Sequence, residues 1–499
     1  MGEEEMGKDG EEETLVGSDE VKEKRKAFLL GIASPVLWLR MLASEMHWSF
    51  VAGVIVVYGV GQGIGGSLNR LASDYYWKDV QMVQPSAAQV YQGITGFPWM
   101  VKPLWGLLTD VLPIFGYRRR PYFVFAGIIG VFSMLLLALH KQLHVLFALL
   151  ALIGGSAGAA IADVTIDACV AQNSIHHPPL AADMQSLCGF SSSIGALLGF
   201  SVSGFLVHHI GAQGVLGLLS VPAALVFMIG LVLDEPHVPR DSISQVYERL
   251  LEAAGSMWKT LKCPVVWRPC LYMYLSLALS LNIHEGMFYW YTDSKSGPSF
   301  SQEIIGFIYC IGAVGSLLGV LLYHNILKNY SFRSLLFWSQ LLYGLSGMLD
   351  LALVLRLNLK YNMPDYLFVV IDEGVSQMIN RIKWLPLLVL SAKLCPTGIE
   401  GTFFALLMSI DNIGVFSSSW GGGLLLHILN VTRTEFSNLW VAIILRNLLR
   451  LLPLSLLFLV PKSDNNSQIL PTEFSSPKEA IEMLESDKIE LVSLVHNTQ

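Results

Sequence analysis

This chain has little charge for its length. Asp, Glu, Lys and Arg make up 14% of its 499 residues, against 53% apolar types. A soluble chain of this length carries more charge, so the composition points to a membrane as solvent. Cysteine is also sparse. The six, Cys169, Cys188, Cys263, Cys270, Cys310 and Cys395, show no paired spacing and mostly fall in or beside apolar runs. They read as small packing residues, not as a disulfide framework or a zinc set. No Gly-x4-Gly-Lys-Ser/Thr loop occurs, which argues against ATP-driven transport by this chain. No nucleophile sits with a base inside an apolar run, which argues against an enzyme. Nothing calls for a cofactor, a metal or a nucleic-acid partner. The N-terminus lacks the basic start of a secretory signal and the acid-poor character of a transit peptide. It opens instead with Glu3, Glu4, Glu5, Asp9, Glu11, Glu12 and Glu13, and residues to about Glu20 are expected to form a disordered cytosolic tail. Gly7 stands where a myristoylation signal needs Ser or Thr.

What is there in abundance is the apolar run. A span needs roughly twenty such residues. Twelve candidates centre on Trp48–Ile64, Val90–Leu108, Tyr122–Leu139, Leu143–Ala162, Leu187–Val207, Val215–Leu233, Leu271–Tyr291, Ile304–Tyr323, Leu335–Leu355, Tyr366–Leu390, Thr402–Leu429 and Leu439–Val460. The expected division is a cytosolic tail (1–43), a six-helix bundle (44–233), a cytosolic linker (234–268), a second six-helix bundle (269–460) and a cytosolic tail (461–499). In the linker, Val246, Leu250, Leu251, Ala254 and Trp258 share one helix face, as on a surface-lying amphipathic helix. With both termini inside, Lys and Arg near inner span ends number about seventeen against about seven outside. Asn430-Val431-Thr432 is a glycosylation sequon in an expected outer loop, very near a span.

The stretch Gly106 to Arg120 joins spans two and three. It holds Gly106, which lets a neighbouring helix approach closely, then Asp110, then Arg118, Arg119 and Arg120. A short Arg-rich loop belongs on the cytosolic side. Asp110 is expected to pair with one of the arginines. The second half echoes this stretch: Gly319 to Tyr323, Lys328 and Arg333 stand where Gly106 to Arg120 stand, Arg120 falling on Arg333 and Tyr323 replacing Asp110. A six-plus-six repeat about a cytosolic insert is a transporter layout.

The loop is similar to the one between helices two and three of the major facilitator superfamily, with a longer Asp-to-Gly gap. Three further stretches narrow the resemblance: Val60 to Gly66 (VGQGIGG), Gly96 to Gly106 (GFPWMVKPLWG) and Ala162 to Ala168 (ADVTIDA). With Pro121-Tyr122 after the arginines, the chain resembles the folate–biopterin transporter family, most closely plant members without a plastid extension. The resemblance implies a major facilitator fold, an all-α membrane protein of twelve helices. It also implies alternating-access carriage of folates or pterins coupled to protons. Expected partners are therefore a folate or pterin, the proton and the lipid bilayer. The plasma or vacuolar membrane is expected over the plastid. A carrier of another small metabolite and a transporter-like nutrient receptor remain alternatives; oligomeric state is not legible.

Ionisable side chains inside spans are functional candidates by default. Asp163 and Asp167 lie four apart on span four, hence on one helix face, where mutual repulsion favours a proton on one of them. Lys102 sits between Pro98 and Pro103, which break backbone hydrogen bonding and can kink the helix, and is expected to line the cavity. On span seven, His284 and Glu285 are expected near the wet outer end beside Tyr289, Trp290 and Tyr291. Span ten is the least apolar, with Asp372, Glu373, Gln377, Asn380, Arg381, Lys383 and Trp384; positions 373, 377, 380 and 384 share a face. Asp372 and Glu373 could instead belong to the outer loop. Bases on span ten, Arg381 and Lys383, are expected to face the acids of span four across a central cavity. Asp411 reads as a structural hydrogen bond to a neighbouring helix. Asp350 reads as a structural partner of Arg446 or Arg356. Trp99, Trp105 and Trp384 are candidates to stack on a substrate ring. His140, His144, His176, His177, His208 and His209 fall at span ends, without the partners of a metal site.

Overall fold

A computed structural model describes residues 37–140, 142–237, 255, 258–395 and 400–461. The acidic N-terminal stretch, the C-terminal tail and most of the linker, including Val246, Leu250, Leu251 and Ala254, lie outside the described residues. In chain order the helices are α1 (Trp48–Val80), α2 in three pieces (Pro85–Thr95, Phe97–Met100 and Lys102–Val111), α3 (Arg120–Leu139), α4 (Val145–His176), and α5 and α6 (181–210 and 212–232). Then come α7 in two pieces (Pro264–Ala278 and His284–Tyr291), α8 (Gln302–Asn325), α9 (Phe332–Val354), α10 (Asp365–Lys393), α11 (Glu400–Ile428) and α12 (Leu439–Leu459). Among the described residues the sheet-like pairing is a single bridge, Ile114 with Tyr117, in the turn before α3.

Seven described stretches are long and apolar enough to cross a membrane on their own. One of them, Pro178–Val232, contains both α5 and α6 and turns at Gly211, where φ is +74°. The sequence ends its first span at Ile64, whereas α1 continues to Val80. The polar residues that stop the apolar count do not end the helix: Asp74 is fully buried against protein, and Arg70 lines an internal cavity. The stretch Ile55–Gly65 of α1 is wound as a π-helix, a form that often marks functional segments. Residues 37–43, counted with the tail by sequence, are helical, and Trp38 Nε1 donates to Asp183 Oδ1 at 2.7 Å.

Two spans expected to be continuous are broken, for different reasons. In α2, Pro98 and Pro103 open new helical pieces, and Val101 between them leaves helical geometry (φ −93°, ψ 18°). In α7, residues 279–283 leave the helix beside α11. Freed backbone groups there find partners on α11: Asn282 N–H donates to Ser418 O at 3.1 Å, and Ser418 Oγ donates to Ser280 O at 2.9 Å. A side chain at Gly422 would put Cβ 1.7 Å from Asn282 O, so only glycine lets the break seat.

The two halves meet along α2 against α11 and α5 against α8. The second seam is backbone on backbone: a Cβ on Gly306 would lie 2.7 Å from the Gly204 nitrogen. At the end that holds Val80–Pro85 the halves are tied directly. Tyr289 Oη donates to Val83 O at 3.1 Å, Arg433 N–H donates to Gln84 Oε1 at 3.1 Å, and Arg433 Nη1 donates to Lys78 O at 2.5 Å. Toward the opposite end, where Arg118 and Arg119 sit, a cavity of about 1000 Å³ opens among α1, α2, α4, α5 and α11.

Candidate functional site

Breaking α2 at its two prolines places Lys102 at the start of a new helical piece, facing α4. Lys102 Nζ makes an ion pair with Asp163 Oδ2 and lies 3.7 Å from Asp167 Oδ2. Tyr58 Oη donates to Asp167 Oδ1 and Gln62 Nε2 donates to Asp163 Oδ1, both from the π-wound stretch of α1. Asp163 is buried, while the Asp167 side chain is 48% exposed; Lys102, Asp167 and Tyr58 line the 1000 Å³ cavity. Spacing alone sets two bare carboxylates against each other. The structure puts an ammonium between them, so that repulsion is offset. Tyr58 and Gln62 escape a reading by charge because they carry none; the glycine-rich run around them is the signal.

The span-ten bases do not face these acids. Arg381 lines a different cavity, of about 910 Å³, mostly within the second half, and lies 4.8 Å over the Trp384 ring. Lys383 is buried and points to α7, donating to Ser276 O at 3.2 Å and Ser280 Oγ at 3.4 Å. Its Nζ is 4.4 Å from the centre of the Tyr343 ring. Glu373, Gln377, Asn380 and Trp384 all line the 910 Å³ cavity, so the shared face of α10 is its wet face. Asp372 and Glu373 belong to α10 itself, not to an outer loop. Asp411 is buried and neither of its carboxylate oxygens accepts a hydrogen bond, which corrects its reading as a structural bond. The neighbouring Asn412 makes that kind of bond, donating to Trp99 O at 3.0 Å. Asp350 pairs with Arg446 at 2.7 Å between α9 and α12, and Arg356 takes Asp365 instead. Trp99 lies under Lys102 at 5.4 Å, whereas Trp105 Nε1 donates to Pro98 O and packs against the core.

Span seven departs furthest from its sequence reading. That reading puts Glu285 near water; it is fully buried, with neither oxygen accepting a hydrogen bond of normal geometry. Asp74 of α1 comes to it across the junction between the halves. Asp74 Oδ2 lies 3.1 Å from His284 Nε2 and accepts from Tyr309 Oη at 3.0 Å. Asp74 and Arg70 escape the sequence reading because it closes the first span before them. Of the paired histidines, His208 lies in the last turns of α5, with Nδ1 3.1 Å from Glu303.

In the stretch between α2 and α3, the Asp110 side chain, and with it the expected Asp–Arg pair, lies outside the described part of the structure. Gly106 packs on α4, where a Cβ would meet Val164 at 3.4 Å. The arginines are organised by Glu235, which sequence reasoning passes over. Its carboxylate accepts the backbone N–H groups of Arg118 (2.7 Å), Arg119 (2.9 Å) and Arg120 (3.0 Å), an acid set on the positive end of α3. The Arg120 guanidinium donates to Gly230 O and Leu231 O at the end of α6.

The sequence pattern of the BT1 family matches residues 62–474. The chain belongs to the BT1 family. It is 60% identical over 484 residues to Probable folate-biopterin transporter 2 of Arabidopsis thaliana, covering 96% of this chain and 97% of that one. It is 31% identical over 426 residues to Folate-biopterin transporter of Synechocystis, covering 85% and 84%. Solved structures share the fold at low identity. The nucleoside transporter NupG superposes with a TM-score of 0.60 at 15% identity, covering 85% of this chain and 98% of that one. A D-xylose-proton symporter gives 0.58 at 16%, covering 84% and 98%. The BT1 chain thus has the major facilitator fold; it is an integral membrane transporter, not an enzyme.

Proposed function

We propose that the protein carries folates or pterins across a membrane by alternating access, coupled to protons, with both termini cytosolic. The observation that carries this reading is the Lys102–Asp163–Asp167 cluster opening on a cavity of about 1000 Å³, within the size range of small-ligand sites. The substrate class comes from the names of the relatives. A pterin edge presents adjacent N–H donors, which a carboxylate accepts as a pair, and Asp167 is the cavity-facing acid. Lys102, on the same cavity, is the cation that suits the glutamate carboxylates of a folate, while Arg381, laid over Trp384, lines the separate cavity of about 910 Å³. The tied Val80–Pro85 end is then the outer gate, closed, and the Arg118–Arg120 end is cytosolic. Asp110 and the three arginines serve the conformational cycle. The plasma or vacuolar membrane is the proposed residence.

Asp163, the buried acid, is the proposed coupling residue. The experiment is uptake of labelled folate, biopterin and a nucleoside into vesicles of matched protein content, with and without a pH gradient. The reading expects folate or biopterin uptake that rises with inward acid drive, and Asp163→Asn to lose that rise while keeping counterflow exchange. Uptake of the nucleoside alone would overturn the substrate class. A normal gradient response in Asp163→Asn would remove the coupling assignment.

A further inference from the structure

We propose that Asp74, His284 and Glu285 form a site for one divalent transition-metal ion of the zinc class, complete only while the Val80–Pro85 end is closed. Each residue offers one donor atom, and the three lie within 4.8 Å of one another. One imidazole nitrogen and two carboxylates form a zinc-type donor set, with metal–ligand distances near 2.0–2.2 Å. Magnesium and calcium favour six or more oxygens, which the cluster does not offer.

The independent sign of a missing cation is Glu285. It is fully buried, both its oxygens lack a hydrogen bond of normal geometry, and its nearest charged neighbour in the cluster is another buried carboxylate, Asp74. The positive charge on hand is Arg70, whose Nε is 3.9 Å from Asp74 Oδ2. Two carboxylates against one guanidinium leave one buried acid without a partner charge of its own, which either a proton or a further cation must neutralise.

The surroundings suit a metal. Tyr309 Oη donates to Asp74 Oδ2 at 3.0 Å, placing it as the outer partner that orients that carboxylate. Backbone bonds fix the ligand pair on α7: His284 N–H donates to Asn282 Oδ1 and Glu285 N–H to Gln89 Oε1, each at 3.0 Å. His284, Arg70 and Tyr309 also line the 910 Å³ cavity, which supplies the ion's way in. Asp74 comes from the first half, and His284 and Glu285 from the second. Parting the halves would pull the donor set apart, so a bound ion staples this gate shut.

The test uses purified full-length protein equilibrated with zinc chloride, with bound metal counted by elemental analysis. We expect one zinc per chain in the wild type, and affinity about tenfold or more weaker in both Glu285→Gln and His284→Gln. Tyr309→Phe should weaken it about tenfold, while His208→Gln, at an exposed histidine of α5, should leave it unchanged. Unaltered affinity in both ligand variants, or no stoichiometric zinc, overturns the site. If the variants fail to fold, zinc-edge absorption on the wild type decides: a nitrogen and oxygen shell with one imidazole supports the site, and sulfur in the shell moves the metal to the cysteines and overturns it.

Discussion

The two halves share a scaffold and divide on charge. In each, an arginine at the start of the third helix holds the end of the sixth. Arg120 donates to Gly230 O and Leu231 O; Arg333 donates from Nε to Val460 O at 2.6 Å and from Nη2 to Phe458 O at 3.2 Å. The first half adds Glu235 on the helix end beside Arg120. Inside the bundles the pattern separates further. The acids of the first half are served by Lys102, Tyr58 and Gln62. In the second half Asp411 and Glu285 accept no hydrogen bond of normal geometry, and Lys383 reaches neutral oxygens. A repeat preserves what holds helices together, while buried charge, which is costly, stays only where each half uses it.

That contrast breaks most easily at Lys102. Lys102→Met strands two carboxylates, and breaking a buried pair costs about 3–5 kcal/mol. The expected outcome is a steep fall in folded protein recovered from detergent and no measurable uptake. Lys383→Met, losing a cation bound to neutral groups, should be recovered at near wild-type yield. Equal losses from the two would mean that the first half's cluster is no better satisfied than the second half's lysine.

A smaller effect separates the anchors. Arg120→Ala and Arg333→Ala each remove partly exposed charged hydrogen bonds, costing about 1–2 kcal/mol. Arg120→Ala leaves the Glu235 cap in place, so its thermal midpoint should fall less than that of Arg333→Ala. Adding Glu235→Ala to Arg120→Ala should close the gap. Identical midpoints for the two single variants would show that the cap contributes nothing.

The scaffold is far more legible in the sequence than the site. Apolar run length and the Lys/Arg bias depend on local composition, so the helices and the echo of Arg120 in Arg333 can be read directly. Pro98 and Pro103 announce the break in α2. The break in α7 cannot be read, because its cause lies in Gly422 of another helix. The partners of Asp163, Asp167 and Glu285 are hidden for a related reason. Tyr58, Gln62 and Asp74 reach them only through helix packing, and no spacing rule links residues about a hundred or more positions apart. Charge flags residues inside the bundles and assigns some of them the wrong neighbours: it sets Arg381 and Lys383 against α4, whereas the structure gives α4 its own lysine.

The smallest expected change is at Asp411, and it sharpens the comparison most. Asp163 and Asp411 are both buried acids on membrane helices, 3% and 6% exposed. Asp163 has an ammonium and an amide as partners; Asp411 accepts from nothing. Replacing an acid by its amide keeps the shape and removes the charge. For Asp163 that change removes the counter-charge of Lys102 and leaves Lys102 with Asp167 alone, so Asp163→Asn should lose thermal stability. For Asp411 there is no hydrogen bond to lose, and a buried group without partners carries a desolvation cost of about 1–3 kcal/mol. Asp411→Asn should therefore melt at or above the wild-type midpoint. If it melts well below, Asp411 has a partner in the folded membrane protein, Lys383 being the nearest cation by its place on α10, and the second half would be as well paired as the first. If Asp163→Asn melts at the wild-type midpoint, the pairing around Lys102 holds no net stability, and that cluster is kept for transport alone.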